Sequence, residues 1–334
     1  MKILLYFESE NLLKTSGIGR ALKHQLKALE LRGIETTTDP EDDYDILHIN
    51  TFGLNTSSII NKAKSEGKPV VYHAHSTEED FRNSFILSNQ MSPIFKKRLV
   101  SCYSQGDEII TPTPYSKSLL ESYGLTQRIN AISNGIDLDR FIEDDEKKKA
   151  FYNYFGLKPS DKVILSVGLY FERKGILDFV EIAKQCPDYK FIWFGYTNPV
   201  LVPKSVQEVV SDYPRNVIFP GYVKGAIIEG AYQAANCFFF PSYEETEGIV
   251  VLEALASKQL VLVRDIPVFS PWLKDQINCL KGNNNQEFVN YIHDACNKDF
   301  TSIKAAGYEV AKSRSLENVG EQLENVYRRV LFNE

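Results

Sequence analysis

The sequence is poor in the residues that staple or anchor a chain. Its five cysteines, at 102, 186, 237, 279 and 296, are odd in number, widely spaced and never in a C-x-x-C pair. That argues against a disulfide frame or a zinc site and fits a reducing cytoplasm. No apolar run approaches the roughly 18–20 residues that a membrane-spanning helix needs. The opening stretch, Met1 to Glu8, meets an acid too soon to serve as a signal peptide. An excess of positive charge is missing as well: 38 basic against 44 acidic side chains leave −6, which argues against a nucleic-acid partner. Internal repeats and low-complexity segments are absent. What is present, 334 residues with 43% hydrophobic and 25% charged, excludes wholesale disorder and suits two domains of ordinary size.

Short apolar runs alternate with amphipathic stretches. Strands are expected at 2–7, 45–50, 70–73, 109–111 and 129–133, with helical spacing over 18–31 and 116–123. An acidic, lysine-rich segment at 143–149 interrupts the pattern, read as a domain boundary, a solvated first helical turn, or both. A second strand set follows at 163–167, 190–194, 217–219, 237–240 and 260–263, with helices at 175–183 and 250–257. The last third reads as helices at 286–297, 302–313 and 316–331. This alternation implies an α/β protein with parallel sheets covered on both faces. The expected layout is an N-terminal domain over 1–143 and a C-terminal domain over 144–315. A last helix over 316–334 would pack back on the first domain. Tandem domains of this kind are expected to face each other across a cleft at the strand C-terminal ends, where ligands bind.

Five sequence features carry chemistry. Ser16-Gly17-Ile18-Gly19-Arg20, after the first strand, is either a tight turn or a phosphate contact at a helix start; Leu22 breaks the full dinucleotide fingerprint. Arg173-Lys174-Gly175, at a strand-to-helix turn, is either a surface pair or two cations that neutralise a diphosphate. In Glu245-Thr246-Glu247-Gly248-Ile249-Val250-Val251-Leu252-Glu253, two carboxylates eight apart flank a helix start. Carboxylates accept from vicinal sugar hydroxyls, and the amides of Ile249 and Val250 suit phosphate. An acid in so apolar a helix as that of Glu253 needs a partner. His73 and His75 share a strand face without a third metal ligand at suggestive spacing, so no metal is expected. The Asp-x-Asp matches at 43–45 and 137–139 lie outside a metal-site context. Residues 81–106 hold no Asp or Glu, but carry Arg82, Lys96, Lys97 and Arg98 interleaved with Phe95 and other apolar residues. This is either a core helix with a basic edge or a segment attracted to anionic lipid.

Together with Ser133-Asn134-Gly135-Ile136-Asp137, these motifs resemble glycosyltransferase family 4 over nearly the whole chain. The resemblance implies the GT-B fold, two Rossmann-like domains, and transfer of a sugar from a nucleotide diphosphate with retained anomeric configuration. It implies Glu253 on the ribose, Glu245 and His75 on the hexose, and Lys174 and Arg173 on the diphosphate. Gly17, Gly19, Gly248, Ile249 and Val250 would assist at the phosphates, with Gly195 and Val223 near the base. Leu169 stands where the family usually has arginine, so Arg173 would supply that charge. Lys258 and Leu260 replace its usual Gly and Pro.

The segments at 73–82, 93–98 and 111–118 further resemble bacterial diglycosyl-diacylglycerol synthases. They imply a UDP-hexose donor (glucose or galactose), a monoglycosyl-diacylglycerol acceptor, and a peripheral position on an anionic lipid surface at the cytoplasmic membrane face. The membrane residues would be Arg82, Phe95, Lys96, Lys97 and Arg98. The rival readings are a family 4 transferase with a cell-wall, capsular or other acceptor, a UDP-sugar epimerase, and an inactive partner subunit.

Overall fold

Within each sheet, neighbouring residues of a short apolar strand point to opposite faces, and both faces are covered. The structure, a computed structural model, describes residues 1–8 and 17–332; Ser16, in the first glycine motif, lies outside them. The first elements are β1 (Lys2–Tyr6), α1 (Gly17–Leu31), β2 (Glu35–Thr37), β3 (Ile46–Ile49), α2 (Thr56–Ser65) and β4 (Val70–His73). Then come α3 (Glu78–Phe81), α4 (Ser88–Tyr103), β5 (Glu108–Thr111), α5 (Pro114–Ser122) and β6 (Arg128–Ala131). The second half holds α6 (Asp145–Phe155), β7 (Val163–Val167), α7 (Ile176–Gln185), β8 (Lys190–Phe194), α8 (Lys204–Ser211) and β9 (Val217–Gly221). It continues through α9 (Ala226–Ala234), β10 (Cys237–Phe240), α10 (Ile249–Ala256), β11 (Val261–Arg264) and β12 (Leu280–Gly282) to α11 (Asn285–Asn297), α12 (Thr301–Lys312) and α13 (Leu316–Phe332).

The chain divides into two units. One comprises Met1–Phe81, Gln90–Asp137 and Arg314–Glu334, and the other Arg82–Asn89 with Leu138–Ser313. In the first, the parallel sheet runs β2-β1-β3-β4-β5-β6. Leu4, Leu47, Ile49, Val70, Tyr72 and Ile109 face α2, α4 and α5; Ile3, Leu5, Ile46, Val71 and Ile110 face α1 and α13. Each such side chain contributes about 1.5–3 kcal/mol by burial. The last helix therefore completes the core of the first unit, as expected. Its Gly320 is required there: a Cβ would sit 2.5 Å from the Ala28 carbonyl oxygen of α1. Arg329 ties the same helix to Glu108 (2.9 Å) and Asn130 (3.0 Å).

In the second unit the parallel sheet runs β12-β11-β10-β7-β8-β9. Phe179 of α7 meets Phe191 and Trp193 edge-on, while Phe239 packs on Phe288 of α11. The charged run at 143–149 begins α6: the Asp144 side chain accepts from the amides of Glu146 and Lys147, an ordinary N-cap. The edge strands β2 and β12, three residues each, were not expected from the sequence.

Candidate active site

Counted from β7, the second sheet has the doubly wound order 3-2-1-4-5-6, and its order reverses between β7 and β10. Ligands of open α/β sheets bind beside the carboxyl ends of strands at such a reversal. Arg173 and Lys174 follow β7 in a tight turn, Glu172–Lys174, closed by Gly175 at φ 75°. A Cβ on Gly175 would overlap the Pro241 carbonyl, so the glycine lets the β7 loop lie against the β10 loop. Across that contact Lys174 Nζ pairs with Glu245. Ser242 Oγ donates to the same Glu245 oxygen at 2.7 Å, and Arg173 Nη1 stands 3.8 Å from it.

Arg173 is buried and held on several sides. Its Nε donates to Ser84 Oγ (2.9 Å), its Nη1 to the Glu244 carbonyl (3.0 Å) and its amide to the Asn83 carbonyl (3.1 Å). The Lys174 stem runs past Gly168. The two adjacent cations thus differ: Arg173 is fixed by the protein, and Lys174 is shared with an acid.

Helix α10 begins at Ile249 behind Gly248 (φ 90°), with no side-chain cap. The amides of Ile249 and Val250 lie in its first turn, where backbone N–H groups favour an anion. Glu253, in the same helix, is fully buried. The partner its burial demands is Tyr232, whose hydroxyl donates to Oε2 at 2.8 Å, with Arg140 Nη1 3.9 Å from Oε1. Arg140 Nε in turn donates to Glu229 (2.6 Å), which also pairs with Lys147 (3.1 Å). Burial pushes the Glu229 pKa up, but the hydrogen bonds from Arg140 and Lys147 outweigh it and hold the carboxyl below its ordinary range. Gly195 follows β8, its amide bonded to Gly221 at 2.8 Å, and Val223 lies half-buried in the loop between β9 and α9.

In the first unit the polar residues cluster where strands β3 and β4 end. His75 Nε2 meets Asn50 Oδ1 at 2.9 Å, and its ring stacks on His73 at 4.1 Å. Gln25 Nε2 reaches both Asn50 Oδ1 and His73 Nδ1 at 2.9 Å. His48 Nε2 meets His73 Nδ1 at 3.2 Å, and Tyr327 of α13 donates to His48 Nδ1 at 2.5 Å. Burial pushes His48 and His75 down to about 3, His75 lowering His48 further; burial and then the neighbouring rings hold His73 well below its ordinary value. All three rings are neutral at pH 7. Asn50 Oδ1 only accepts, so His75 carries its proton on Nε2 and presents Nδ1 as an acceptor. Among the described residues, His73 Nε2, Asn50 Nδ2 and Gln25 Oε1 are buried without a protein partner, the kind of atom that takes a polar ligand or water. Gly17 and Gly19 open α1 in the same unit; Gly19 is buried and Gly17 exposed.

The basic window does not present one face. Phe95 is half-buried: it stacks on Phe81 at 4.2 Å, meets Phe52 edge-on and packs against the core of the first unit. Arg98 is turned in to the carbonyls of Phe52 (3.2 Å) and Gly53 (2.7 Å). Lys96 pairs with Glu78 at 3.4 Å and covers the Tyr123 ring. Lys97 and Arg82 remain exposed. Lys96 and Lys97 also line a hollow of about 610 Å³ with Glu78, Pro93, Val100, Ser101 and Tyr123. Among the described residues, no group of three His, Cys, Asp or Glu side chains is placed to hold a metal, and no helix is long and apolar enough to cross a membrane.

Residues 138–310 match the family model described as glycosyl transferases group 1, and residues 13–140 that of glycosyltransferase family 4. This chain belongs to the group 1 glycosyltransferases. Of this glycosyltransferase, 332 residues align at 47% identity with the processive diacylglycerol alpha-glucosyltransferase of Acholeplasma laidlawii, covering 99% of each chain. The alpha-galactosylglucosyldiacylglycerol synthase of Streptococcus pneumoniae is 23% identical over 79% of this chain and 69% of its own. The structure of Anabaena HepE in complex with UDP-glucose superposes with a TM-score of 0.76 at 17% identity, over 98% of this chain and 99% of that one. Sucrose-phosphate synthase from Thermosynechococcus elongatus gives 0.79 at 16%, over 100% of both. At such identities the likeness establishes the GT-B fold.

Glu245, Lys174 and the helix start behind Gly248 all lie in the glycosyltransferase's second unit, and the ion pair between Glu245 and Lys174 was not anticipated in the sequence. Ser84, Arg140, Tyr232 and Ser242 there, and Gln25, His48, Asn50 and Tyr327 in the first unit, were not singled out in the sequence. His48 carried a usable signal, a polar residue inside the apolar run Ile46-Leu47-His48-Ile49.

Proposed function

We propose that this glycosyltransferase moves glucose from UDP-glucose onto a monoglycosyl-diacylglycerol, making the diglycosyl lipid at the cytoplasmic membrane face. The observation that carries this reading is the 47% identity, over 99% of both chains, to a diacylglycerol alpha-glucosyltransferase. Galactose is the alternative hexose.

In the second unit Glu253 takes the ribose hydroxyls, with Gly195 and Val223 beside the base. Lys174, Arg173 and the amides of Gly248, Ile249 and Val250 take the diphosphate. Glu245 orients the hexose. In the first unit we assign the hexose contact to His75 and phosphate contacts to the α1 start at Gly17 and Gly19. The acceptor hydroxyl oxygen bonds to the anomeric carbon from the face that the leaving group occupies. The bond from that carbon to the β-phosphate oxygen breaks with its electron pair, and that phosphate takes the hydroxyl proton. Anomeric configuration is retained, without a protein nucleophile. Lys174 and Arg173 stabilise charge that grows on UDP, a term commonly worth a few kcal/mol per donor, and that makes a metal unnecessary.

The test offers radiolabelled UDP-glucose and UDP-galactose separately, with monoglucosyl-diacylglycerol in mixed micelles containing anionic lipid. A labelled diglycosyl lipid with an α-linkage by NMR, formed equally in EDTA, is the expected result. UDP binding without lipid product moves the acceptor to another class. Neither binding nor product assigns the chain to an inactive partner role.

A further inference from the structure

Two non-glycine residues with backbone in the left-handed region, Asn83 (φ 52°) and Leu87 (φ 65°), fall within Arg82–Asn89, the short segment that belongs to the second unit. A leucine there is strained, and strain of this kind persists where surrounding contacts hold the chain. The inner side supplies those contacts. Asn83 and Ser84 bind Arg173, and the Phe85 ring meets Phe171 edge-on at 4.7 Å.

The outer side is apolar and open. Leu87 is 59% exposed and Ile86 49%. The Ile86 amide donates to the Leu201 carbonyl at 3.0 Å, which brings a second loop alongside, with Leu201 51% and Val200 74% exposed. Neither stretch, 81–106 or 196–207, contains Asp or Glu. Arg82 and Lys204 flank the four side chains, Lys204 sharing its charge with Glu208 at 3.4 Å.

We propose that Ile86, Leu87, Val200 and Leu201 form a lipid-docking surface that enters the headgroup–acyl boundary of an anionic bilayer. The proposal rests on the lipid-acceptor reading above and names its membrane contact. Clustered aliphatic tips beside cations, with acids excluded from both loops, match a negatively charged membrane surface. A second copy of the chain is a poorer occupant. A stable protein interface buries about 800 Å² on each side, far more than four side chains on two loops provide. The same segment grips Arg173 from within, so docking bears directly on the turn that carries the candidate phosphate contacts.

The full chain is compared with the triple variant Leu87→Asn, Val200→Ser, Leu201→Ser by co-sedimentation with vesicles of equal parts phosphatidylglycerol and phosphatidylcholine. Asparagine tolerates the left-handed backbone, and Phe85 is left in place because it supports the Arg173 turn. Vesicle affinity should fall at least about tenfold, while UDP affinity by calorimetry stays at the parent value. The control Ile277→Ser, an exposed apolar residue of the same unit, should bind vesicles as the parent does. Unchanged vesicle binding by the triple variant overturns the proposal, as does an effect confined to self-association measured by light scattering. Should the triple variant lose UDP affinity, the single Val200→Ser decides by the same vesicle criterion. The micelle transfer assay is read separately: a parent that binds vesicles through these residues yet glycosylates no glycerolipid retains the docking surface and loses the acceptor assignment.

Discussion

Lys174 and Glu245 are paired across the loops that leave β7 and β10, and Ser242 donates to the same carboxylate oxygen at 2.7 Å. Both side chains are largely buried, so removing one leaves the other's charge poorly compensated. Lys174→Met should cost about 3 kcal/mol of stability and weaken UDP binding at least about tenfold. The double variant Lys174→Met, Glu245→Gln removes both charges. Its stability in urea should return towards the parent while its UDP affinity stays low. Parent-like UDP affinity in Lys174→Met would remove the lysine from the diphosphate site.

Glu253 and Tyr232 allow a sharper test of the ribose assignment. Tyr232→Phe deletes the 2.8 Å donor to a buried carboxylate and should destabilise by about 1–3 kcal/mol. The parent should prefer UDP over 2′-deoxy-UDP by roughly tenfold or more, as expected for a hydroxyl bonded to a charged group. Glu253→Ala should bind the two nucleotides alike. A preference that survives in Glu253→Ala assigns the hydroxyl to another residue.

These pairs show where sequence reading reached and where it stopped. β10 is a continuous apolar run and β7 is one broken only by Ser166, both buried on both faces, so they were legible, and the loops after them came with them. β2 and β12 lie at sheet edges and read Glu-Thr-Thr and Leu-Lys-Gly, with no periodicity to find. Lys96, Lys97 and Arg98 looked like one basic patch, but consecutive helical residues turn by about 100° each. One therefore pairs with Glu78, one faces outward and one reaches the carbonyls at 52 and 53. The stripe that does face inward, Phe95, Leu99, Cys102 and Tyr103, follows helical spacing and was available to the same reasoning. His48 and Tyr327 meet from 279 positions apart, a relationship that no local pattern encodes.

Ser84 accepts from Arg173 Nε at 2.9 Å and so orients a residue that we place at the diphosphate. Ser84→Ala leaves the Glu244 carbonyl on Nη1 and the Asn83 carbonyl on the backbone amide, so the turn should persist with a looser guanidinium. UDP affinity and kcat/KM should each fall roughly tenfold, the usual worth of a hydrogen bond to a charged group. The melting temperature should move little, and Ser84→Thr should recover most of the loss. Full activity in Ser84→Ala would mean that Arg173 is positioned by its carbonyl contacts alone.

The histidine stack makes stability depend on pH in a direction that can be worked out. In the folded chain His48 and His75 are held down to about 3, from an ordinary 6.5, and His73 is held well below 6.5 as well. Between about 6.5 and 3 the unfolded chain therefore takes up protons that the folded chain refuses. The contribution is fully present above pH 6.5 and is lost as pH falls towards 3. Each such histidine adds a slope of up to about 1.4 kcal/mol per pH unit. Urea unfolding at a series of pH values from 7 to about 5 should show the parent losing stability more steeply than His48→Gln, by about one proton. Tyr327→Phe should keep the parent's slope, because it removes the 2.5 Å donor to His48 without removing a titrating ring. It should instead lower stability by about 1 kcal/mol at every pH. Equal slopes in the parent and His48→Gln would mean that His48 protonates in the folded chain, and the neutral stack would have to be abandoned.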